Sequence, residues 1–449
     1  MFKTLKNAWR IPELRSKLLF TLLIIVLYRL GANIPVPYVS ANVFEGAKDA
    51  FGGTILYYLN ILSGDALGRA TLFALGVSPY ITASIVIQLL TVAIGPLQRL
   101  AKQGEEGRKK ITALTRIVTV ALALITAIGY AFYLNANDFL VAELNWFSGA
   151  VIVACYCAGA ALVMWLAEKI NESGIGNGIS IILFANIIAG MFGIAQSIWT
   201  TVFRNGGFSG FYWVGLIVAI FEIIVLLGMI MLIVWMSDAE RRIPIQYAKR
   251  VVGRKMYGGQ NTNLPLKVNM AGVMPIIFAN SIVALPATIA SFMNSDSGFA
   301  KWVTKWFNYD SLPYLIIFLL LLFFFAYFYV SISFDPVEVA NNIKSNGGAV
   351  PGIRSGKPTI IYIKKILNRI TLLGAIIVAF IACFPMIINM VDTQIIANID
   401  KIPEAFKALD FAALSFGGSS LIIVVGVALE TVRELEAQMS LRNYKGFLD

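Results

Sequence analysis

The sequence contains ten apolar segments, each close to the length of about 20 residues that an α-helix needs to cross a lipid bilayer. They lie approximately at 18–34, 72–94, 117–134, 149–167, 179–199, 212–236, 271–292, 312–334, 370–390 and 416–432. The eighth is the purest, because Leu, Ile and Phe dominate it. The pattern predicts an all-α polytopic membrane protein with ten transmembrane helices.

Composition supports this interpretation and excludes several classes of protein. Of the 449 residues, 58% are hydrophobic and only 14% are charged, whereas a soluble domain carries about 25% charged residues. An ordinary cytosolic enzyme, a disordered protein and a collagen-like fibre are therefore excluded. The chain has no histidine, so the commonest general base and metal ligand is missing. The three cysteines lie in apolar stretches and are interpreted as small apolar side chains; they are Cys155, Cys157 and Cys383.

The orientation in the membrane follows from Lys and Arg, which concentrate in cytoplasmic loops. Basic residues are frequent in segments 1–17, 95–116, 237–270 and 335–369, and they are sparse in the alternate loops. Both termini are therefore predicted to be cytoplasmic. The first apolar segment runs into the proline-rich stretch Ile34–Pro37 without a cleavage pattern, so we expect a retained span rather than a secretory signal peptide.

Ten spans divide into two halves of five, residues 1–205 and 206–449. An odd number of spans per half places the second half upside down relative to the first, and a functional site is then expected between the halves. A weak sequence trace supports the repeat. The second span of one half opens Gly76–Pro79, and its counterpart opens Gly272–Pro275. Chance similarity between apolar segments is the alternative explanation, because Gly and Pro are frequent in such helices.

One apolar segment is too short to span. It covers residues 54–67 and is interrupted by Ser63–Asp65. Runs of this length are usually interfacial or re-entrant. The segment is therefore either a helix on the outer surface or a helix folded back into a pore as a stopper. Its residues are Thr54, Ile55, Leu56, Tyr57, Tyr58, Leu59, Asn60, Ile61, Leu62, Ser63, Gly64, Asp65, Ala66 and Leu67.

Few ionisable residues lie within the predicted spans, although such groups normally mark ion or proton pathways. They are Arg29, Glu222 and, near a cytoplasmic end, Glu430. We expect Arg29 to snorkel toward the outer interface. Structural pairing is the favoured role for Glu222. A proton-coupled carrier would usually carry more acidic or histidine positions than these.

Two glycine-rich stretches fail as nucleotide sites. Gly174–Gly178 joins two spans and follows no strand, so a tight turn is predicted rather than a phosphate cradle. The stretch 352–358 is one residue short of P-loop spacing, and Pro358 occupies the Ser/Thr position that would contact magnesium. We predict no catalytic site, no metal site and no cofactor, so any energy source must come from a partner or a gradient.

Two long basic loops, 237–270 and 335–369, remain to be explained. The simple explanation is topology together with attraction to anionic lipid, which is worth about 1 kcal/mol per basic residue at the surface. The alternative is a surface that docks an acidic protein or RNA phosphates.

Several long stretches occur in the order found in one known family. They are Phe73–Ile85, Gly174–Ser180, Leu264–Gly272, Pro286–Ala290, Val350–Arg354 and Phe416–Leu421. Along nearly its whole length the sequence closely resembles the SecY/Sec61-alpha family of protein-conducting channels. The resemblance implies two inverted five-helix halves around a central pore, with a hinge at about 200–211 and a short re-entrant plug at 54–67.

The resemblance also implies specific site residues. A ring of aliphatic side chains at the waist of the pore matches Val77, Ile81, Leu183, Ile277 and Ile423. Val77 and Leu183 depart mildly from the isoleucine that is frequent there, but they keep the ring apolar. A lateral gate between span two and spans seven and eight includes Ser84, Gln88, Asn280 and Ile282. Docking positions for a motor or ribosome match Arg254, Lys255, Arg354 and Lys357.

The implied function is passage of unfolded secretory polypeptides across the bacterial inner membrane, with sideways release of hydrophobic segments into lipid. The implied partners are the membrane subunits SecE and SecG, the motor ATPase SecA, and the ribosome with its nascent chain. Two alternatives from other classes are a secondary transporter for a small solute and a membrane-embedded enzyme. The absence of a charge cluster at the midplane and of a nucleophile–base pair favours the channel.

Overall fold

The computed structural model of the protein describes residues 2–40, 60, 63–141, 145–203, 212–247, 250–252, 255–257, 261–291, 297–307, 311–398 and 418–445. Helices dominate these residues, which confirms the helical character predicted from the apolar segments.

The first half of the chain is mostly helical, and some of its helices have a proline in the first turn. Pro12 and Pro79 lie in the first turns of two of them, where a missing N–H leaves no hydrogen bond unmade. The helices are α1 (Phe2–Arg10), α2 (Pro12–Gly31), α3 (Ser78–Ala93), α4 (Gly95–Ala101), α5 (Glu105–Ala136), α6 (Trp146–Ser173) and α7 (Gly178–Phe203). The chain bends by 105° between α3 and α4, at the extended residue Ile94.

The second half contains further helices and two long connections. The helices are α8 (Tyr212–Asp238), α9 (Met274–Ser291), α10 (Gly298–Trp306), α11 (Leu312–Ser333), α12 (Pro336–Ser345), α13 (Lys357–Asn398) and α14 (Gly418–Lys445). Each of the ten predicted spans overlaps one long helix: α2, α3, α5, α6, α7, α8, α9, α11, α13 or α14.

By length and hydropathy, five helices among the described residues can cross a membrane, or six if the bent pair α3–α4 counts as one span. The described parts of α7 and α9 that are apolar are shorter, Gly178–Met191 and Met274–Ala290. The polytopic membrane character is therefore supported, and the count of ten crossings stays a prediction.

The outer surface of the helices is apolar. Leu22, Ile125, Leu320 and Phe380 on four different helices are 59%, 64%, 66% and 62% exposed. A soluble monomer rarely exposes large contiguous apolar patches. Such a surface is stable in hydrocarbon, so this arrangement fits a chain whose solvent is the bilayer.

Two small sheets correct the all-α description. Their strands are β1 (Glu240–Tyr247), β2 (Arg250–Val252), β3 (Lys255–Tyr257), β4 (Asn261–Lys267) and β5 (Gly348–Ala349). One sheet has the order β4–β1–β5, and β2 pairs with β3 separately. β1 is antiparallel to both neighbours, with Ile243 opposite Leu264 and Gln246 opposite Ala349.

The sheet forms because alternate residues of β1 bury their side chains, as a half-buried strand requires. Ile243 and Ile245 are 2% and 4% exposed, between exposed neighbours. The sheet joins the two basic loops, since β1 and β4 come from residues 237–270 and β5 comes from residues 335–369. From the sequence both segments are expected to be loops. The strands give little local signal, because they are short and because β1 and β4 each contain a proline.

Two apolar clusters form most of the membrane-embedded core. The larger includes buried residues of α2, α3, α6, α7, α8, α9, α11, α13 and α14. The smaller joins α5 and α6 to residues 67–75. Within the larger cluster α3 packs against α9, and α7 packs against α8 and α14. The helices of the two chain halves therefore share one core.

Candidate functional site

The predicted ring residues come from four helices and are all buried. Val77 precedes the first residue of α3, and Ile81 lies one turn further along the same helix. The other three come from α7, α9 and α14. The exposed fractions are 2% for Val77, 4% for Ile81, 1% for Leu183, 5% for Ile277 and 0% for Ile423. All five belong to the larger apolar cluster, which extends through both halves of the chain. Their arrangement as a ring around a pore stays a prediction.

The predicted lateral-gate residues lie on helices that contact each other. α3 packs against α9, and α9 packs against α11. Asn280 is 2% exposed, while Ser84, Gln88 and Ile282 are half-buried. The contact between α9 and α11 includes Phe278 and Phe325, whose rings meet edge-on with centroids 5.7 Å apart. Aromatic pairs in this geometry contribute about 0.5–1.5 kcal/mol beyond their buried area.

The predicted plug is described only at its C-terminal end. Residues 54–59 and 61–62 lie outside the described residues. Ser63 is 4% exposed, Ala66 is 0% exposed, and Leu67 is 5% exposed. Asn60 Oδ1 accepts a hydrogen bond from the backbone N–H of Gly68 at 2.7 Å. Ala66 belongs to the same apolar cluster as the ring residues, so this end of the segment lies against the core.

Two tyrosines hold the chain that follows the predicted plug. The hydroxyl of Tyr130 on α5 donates to the carbonyl oxygen of Leu67 at 2.6 Å. The hydroxyl of Tyr156 on α6 donates to that of Ala70 at 3.1 Å. Both tyrosines are fully buried. Sequence reasoning missed them, because a tyrosine in an apolar helix gives no signal of which distant carbonyl it binds.

Arg29, which is predicted to snorkel toward the outer interface, makes contacts that the prediction does not include. Its guanidinium is half-buried and donates to the carbonyl oxygens of Ala185 at 2.6 Å, Asn186 at 3.3 Å and Gly64 at 3.4 Å. It therefore links α2 to α7 and to the segment at Ser63–Leu67.

Three of the four predicted docking residues belong to the described part of the chain. Arg254 lies outside the described residues, and Lys255 begins β3. Arg354 and Lys357 are exposed. The turn that carries Arg354 is fixed by Val350, which is 4% exposed and packs in one cluster with Ile243 and Leu266. Arg354 and Lys357 therefore extend from an ordered turn, and the docking surface itself stays a prediction.

An ion pair fixes the base of the sheet to the last helix. Arg433 Nη2 on α14 donates to the carbonyl oxygen of Ser237 at 2.6 Å and to Asp238 Oδ1 at 2.5 Å. Residues 237 and 238 are the last of α8, and one residue separates them from β1. The start of β1 is thereby connected to α14, the helix that carries the predicted ring residue Ile423.

The glycine-rich stretch Gly174–Gly178 forms the predicted tight turn. Gly176 has φ +80°, a conformation that glycine adopts without steric cost. Asn171 Oδ1 accepts from the backbone N–H of Gly178 at 2.7 Å, and Thr21 Oγ1 accepts from that of Ile175 at 3.1 Å. The turn joins α6 to α7 and packs against α2.

Comparison with known proteins agrees with this arrangement. The family model described as SecY matches residues 71–432. Proteins named protein translocase subunit SecY are similar over the full length of both chains. They are 43% identical in Streptomyces coelicolor, 40% in Halalkalibacterium halodurans and 41% in Mycobacterium tuberculosis.

Solved structures share the fold. A structure described as that of a protein conducting channel has a TM-score of 0.62 at 18% identity, over 96% of each chain. Sec61 in the canine ribosome-channel complex has a TM-score of 0.58 at 17% identity, also over 96% of each chain. Given the full-length similarity and the extent of the family match, the chain belongs to the SecY family.

Proposed function

We propose that this chain is the channel subunit of a bacterial protein translocase. In this role it passes unfolded secretory polypeptides across the cell membrane and releases hydrophobic segments sideways into lipid. The observation that supports the proposal best is the burial of five aliphatic side chains from four helices in one apolar cluster. The likeness to protein translocase subunits named SecY supports the same role.

The proposed architecture has ten transmembrane helices, α2, α3, α5, α6, α7, α8, α9, α11, α13 and α14. Residues 1–205 and 206–449 form two inverted halves around a central pore, and both termini are cytoplasmic. Residues 54–67 form the plug. The basic composition of segments 95–116, 237–270 and 335–369 supports this orientation, because cytoplasmic loops carry the excess of Lys and Arg.

The proposed ring closes the pore by its chemistry. Val77, Ile81, Leu183, Ile277 and Ile423 offer an ion nothing that replaces its hydration shell, and a narrow apolar constriction closes by dewetting. The same side chains form no directional hydrogen bonds. An extended polypeptide of any sequence can therefore pass between them, because no side chain of the ring binds a particular sequence strongly.

The proposed lateral gate lies where α3 meets α9 and α9 meets α11. It includes Ser84, Gln88, Asn280 and Ile282. When these helices part, a chain in the pore contacts lipid. A segment then stays in the membrane if its summed transfer free energy is favourable; Leu, Ile, Phe and Val favour insertion, and Asp, Lys and Arg oppose it.

The proposed docking surface is the basic face around the sheet, with Arg254, Lys255, Arg354 and Lys357. Its partners are the motor ATPase SecA and the ribosome with its nascent chain, while SecE and SecG are the membrane subunits. One neighbour in fold is a Sec61 channel in complex with a ribosome. Because Arg354 and Lys357 are exposed, their charges are available to an acidic protein surface or to RNA phosphates. Anionic lipid is a further partner for these charges.

Reconstitution tests the proposal. The purified complex of this chain with SecE and SecG is placed in vesicles together with SecA, ATP and an unfolded secretory chain. We expect the chain to become protected from added protease inside the vesicles. Uptake of small solutes down a gradient without protein uptake would instead identify a solute transporter and contradict the proposal.

A further inference from the structure

One arginine joins three separate parts of the membrane core. Arg29 lies two residues before the end of α2, at Gly31. Its Nη2 atom donates to the carbonyl oxygens of Ala185 and Asn186 on α7, at 2.6 and 3.3 Å. Its Nη1 atom donates to the carbonyl oxygen of Gly64 at 3.4 Å. A hydrogen bond from a charged donor is about twice as strong as one between neutral groups.

The contact between α2 and α7 does not depend on Gly64. Tyr28, the neighbour of Arg29, accepts a hydrogen bond from Asn186 Nδ2 at 2.9 Å. The ring of Tyr28 also stacks on Phe73, with centroids 5.4 Å apart. The first contact joins α2 to α7, and the second packs α2 against the segment that precedes α3. The bond from Arg29 to Gly64 is the one that can open without separating the helices.

Arg29 can approach Gly64 closely because glycine has no Cβ atom and tolerates a positive φ. The φ of Gly64 is +67°, a conformation that costs a residue with a Cβ atom roughly 1 kcal/mol or more. A Cβ atom at this position would lie 2.8 Å from Arg29 Nη1 and 2.9 Å from Asn186 Oδ1. The following residue, Asp65, also has φ +67°. The backbone therefore makes a left-handed double turn where it meets the arginine.

The chain beyond this turn is fixed separately. Tyr130 and Tyr156 bind the carbonyl oxygens of Leu67 and Ala70. Both tyrosines are fully buried on α5 and α6. The segment from Ser63 to Ala70 thus has one end held by two neutral hydrogen bonds in the core and another end held by a half-buried guanidinium.

We propose that Arg29 is a positioning residue that holds Gly64 against α7 in the resting channel. The segment can leave the core only when this bond opens, and it then pivots about the positions fixed by Tyr130 and Tyr156. The inference rests on the proposed function, because it takes Ser63–Leu67 as the end of the plug. It adds the residue that keeps this end in place.

The test uses the resting complex in vesicles, without motor or substrate. The three native cysteines are replaced, and Ser63→Cys supplies a nearly isosteric probe at a residue that is 4% exposed. A membrane-impermeant maleimide is added on the side opposite to the basic loops. In parallel, ion conductance is recorded in planar bilayers. Each measurement compares Arg29 with Arg29→Gln and Arg29→Lys.

We expect Arg29→Gln to accelerate labelling of the cysteine by about threefold or more, as loss of one ordinary hydrogen bond implies, and to raise the resting conductance. Arg29→Lys should give an intermediate rate, because an ammonium keeps the charge but lacks the planar fork that reaches two elements. The matched control is Arg69→Gln. Arg69 lies in the same segment but is exposed and contacts the surface residue Asn33, so both readouts should stay unchanged.

A second variant approaches the same contact from the other side. Gly64→Ala keeps Arg29 but places a methyl group 2.8 Å from Arg29 Nη1 and 2.9 Å from Asn186 Oδ1. It should therefore displace Gly64 and accelerate labelling as Arg29→Gln does. Labelling that stays at the unmodified rate in both variants would overturn the inference. Faster labelling with unchanged conductance would overturn the plug assignment in the proposed function, while the role of Arg29 in holding Gly64 would stand.

Discussion

Reversing one charge on the proposed docking surface should uncouple the channel from its motor without disturbing the fold. Arg354 is exposed, and the turn that carries it is held by the buried Val350 and by a hydrogen bond from Thr359 Oγ1 to the Arg354 carbonyl oxygen at 3.0 Å. Neither contact uses the guanidinium. Arg354→Glu should therefore change the free energy of unfolding by no more than about 0.5 kcal/mol, as for other surface substitutions.

The magnitude of the docking defect follows from the exposure of the side chain. An ion pair at 4 Å in bulk water contributes about 1 kcal/mol. Replacing Arg354 by glutamate converts this attraction into a repulsion of similar size, so the loss is about 2 kcal/mol. That corresponds to about 30-fold weaker binding of SecA. Burial of the pair in the complex would enlarge the effect, because the effective dielectric constant falls.

The assay measures SecA binding to the reconstituted complex and, in the same vesicles, the rate of protein uptake. The matched control is Arg108→Glu, which makes the same change to the net charge of +11. Arg108 is also exposed, but it lies at the start of α5, outside the proposed docking surface. Equal loss of binding in both variants would show that only total charge matters. Unchanged binding in Arg354→Glu would remove Arg354 from the docking surface.

Three further changes should have distinct outcomes. Replacing Ile81 and Ile277 together by glycine should raise the ion conductance of the resting channel, because the waist loses two buried aliphatic side chains; unchanged conductance would exclude them from the seal. Tyr130→Phe should lower the free energy of unfolding in detergent by about 1 kcal/mol, since the buried Leu67 carbonyl oxygen loses one donor but keeps the backbone N–H of Ala70. Gly159→Ala should destabilise the protein, because a Cβ atom there meets the Leu72 carbonyl oxygen, whereas Gly228→Ala meets nothing within 4 Å and should be neutral or stabilising.

The sequence predicts the helices well because a span is a local property. About 20 apolar residues in a row determine both the secondary structure and the environment, and each of the ten predicted segments overlaps a helix. The turn at Gly174–Gly178 is also predictable from the sequence, since a run of glycines between two spans favours a tight turn over other conformations. The ring positions came from resemblance to the family rather than from residue chemistry, because an aliphatic residue in a pore looks like any other in an apolar helix.

What the sequence does not predict depends on contacts between distant residues. β1 pairs with β5 through Gln246 and Ala349, about a hundred residues apart in the chain, and neither strand has a strong local pattern. Arg29 shows the same limit at a single residue. A charged side chain near the end of a span is normally explained by snorkelling. Its actual partners are backbone carbonyl oxygens, and carbonyl oxygens carry no sequence signature.

Crosslinking tests most directly whether a polypeptide passes through the proposed ring. A secretory chain is stalled during uptake in complexes that carry a single cysteine at Ile81 or at Ile423, and a probe in the chain is allowed to react. The control cysteine is placed at Leu320, which is 66% exposed on the apolar outer surface of α11. We expect adducts at Ile81 and Ile423 and none at Leu320. A stalled chain that reacts at Leu320 but at neither ring position would contradict the account.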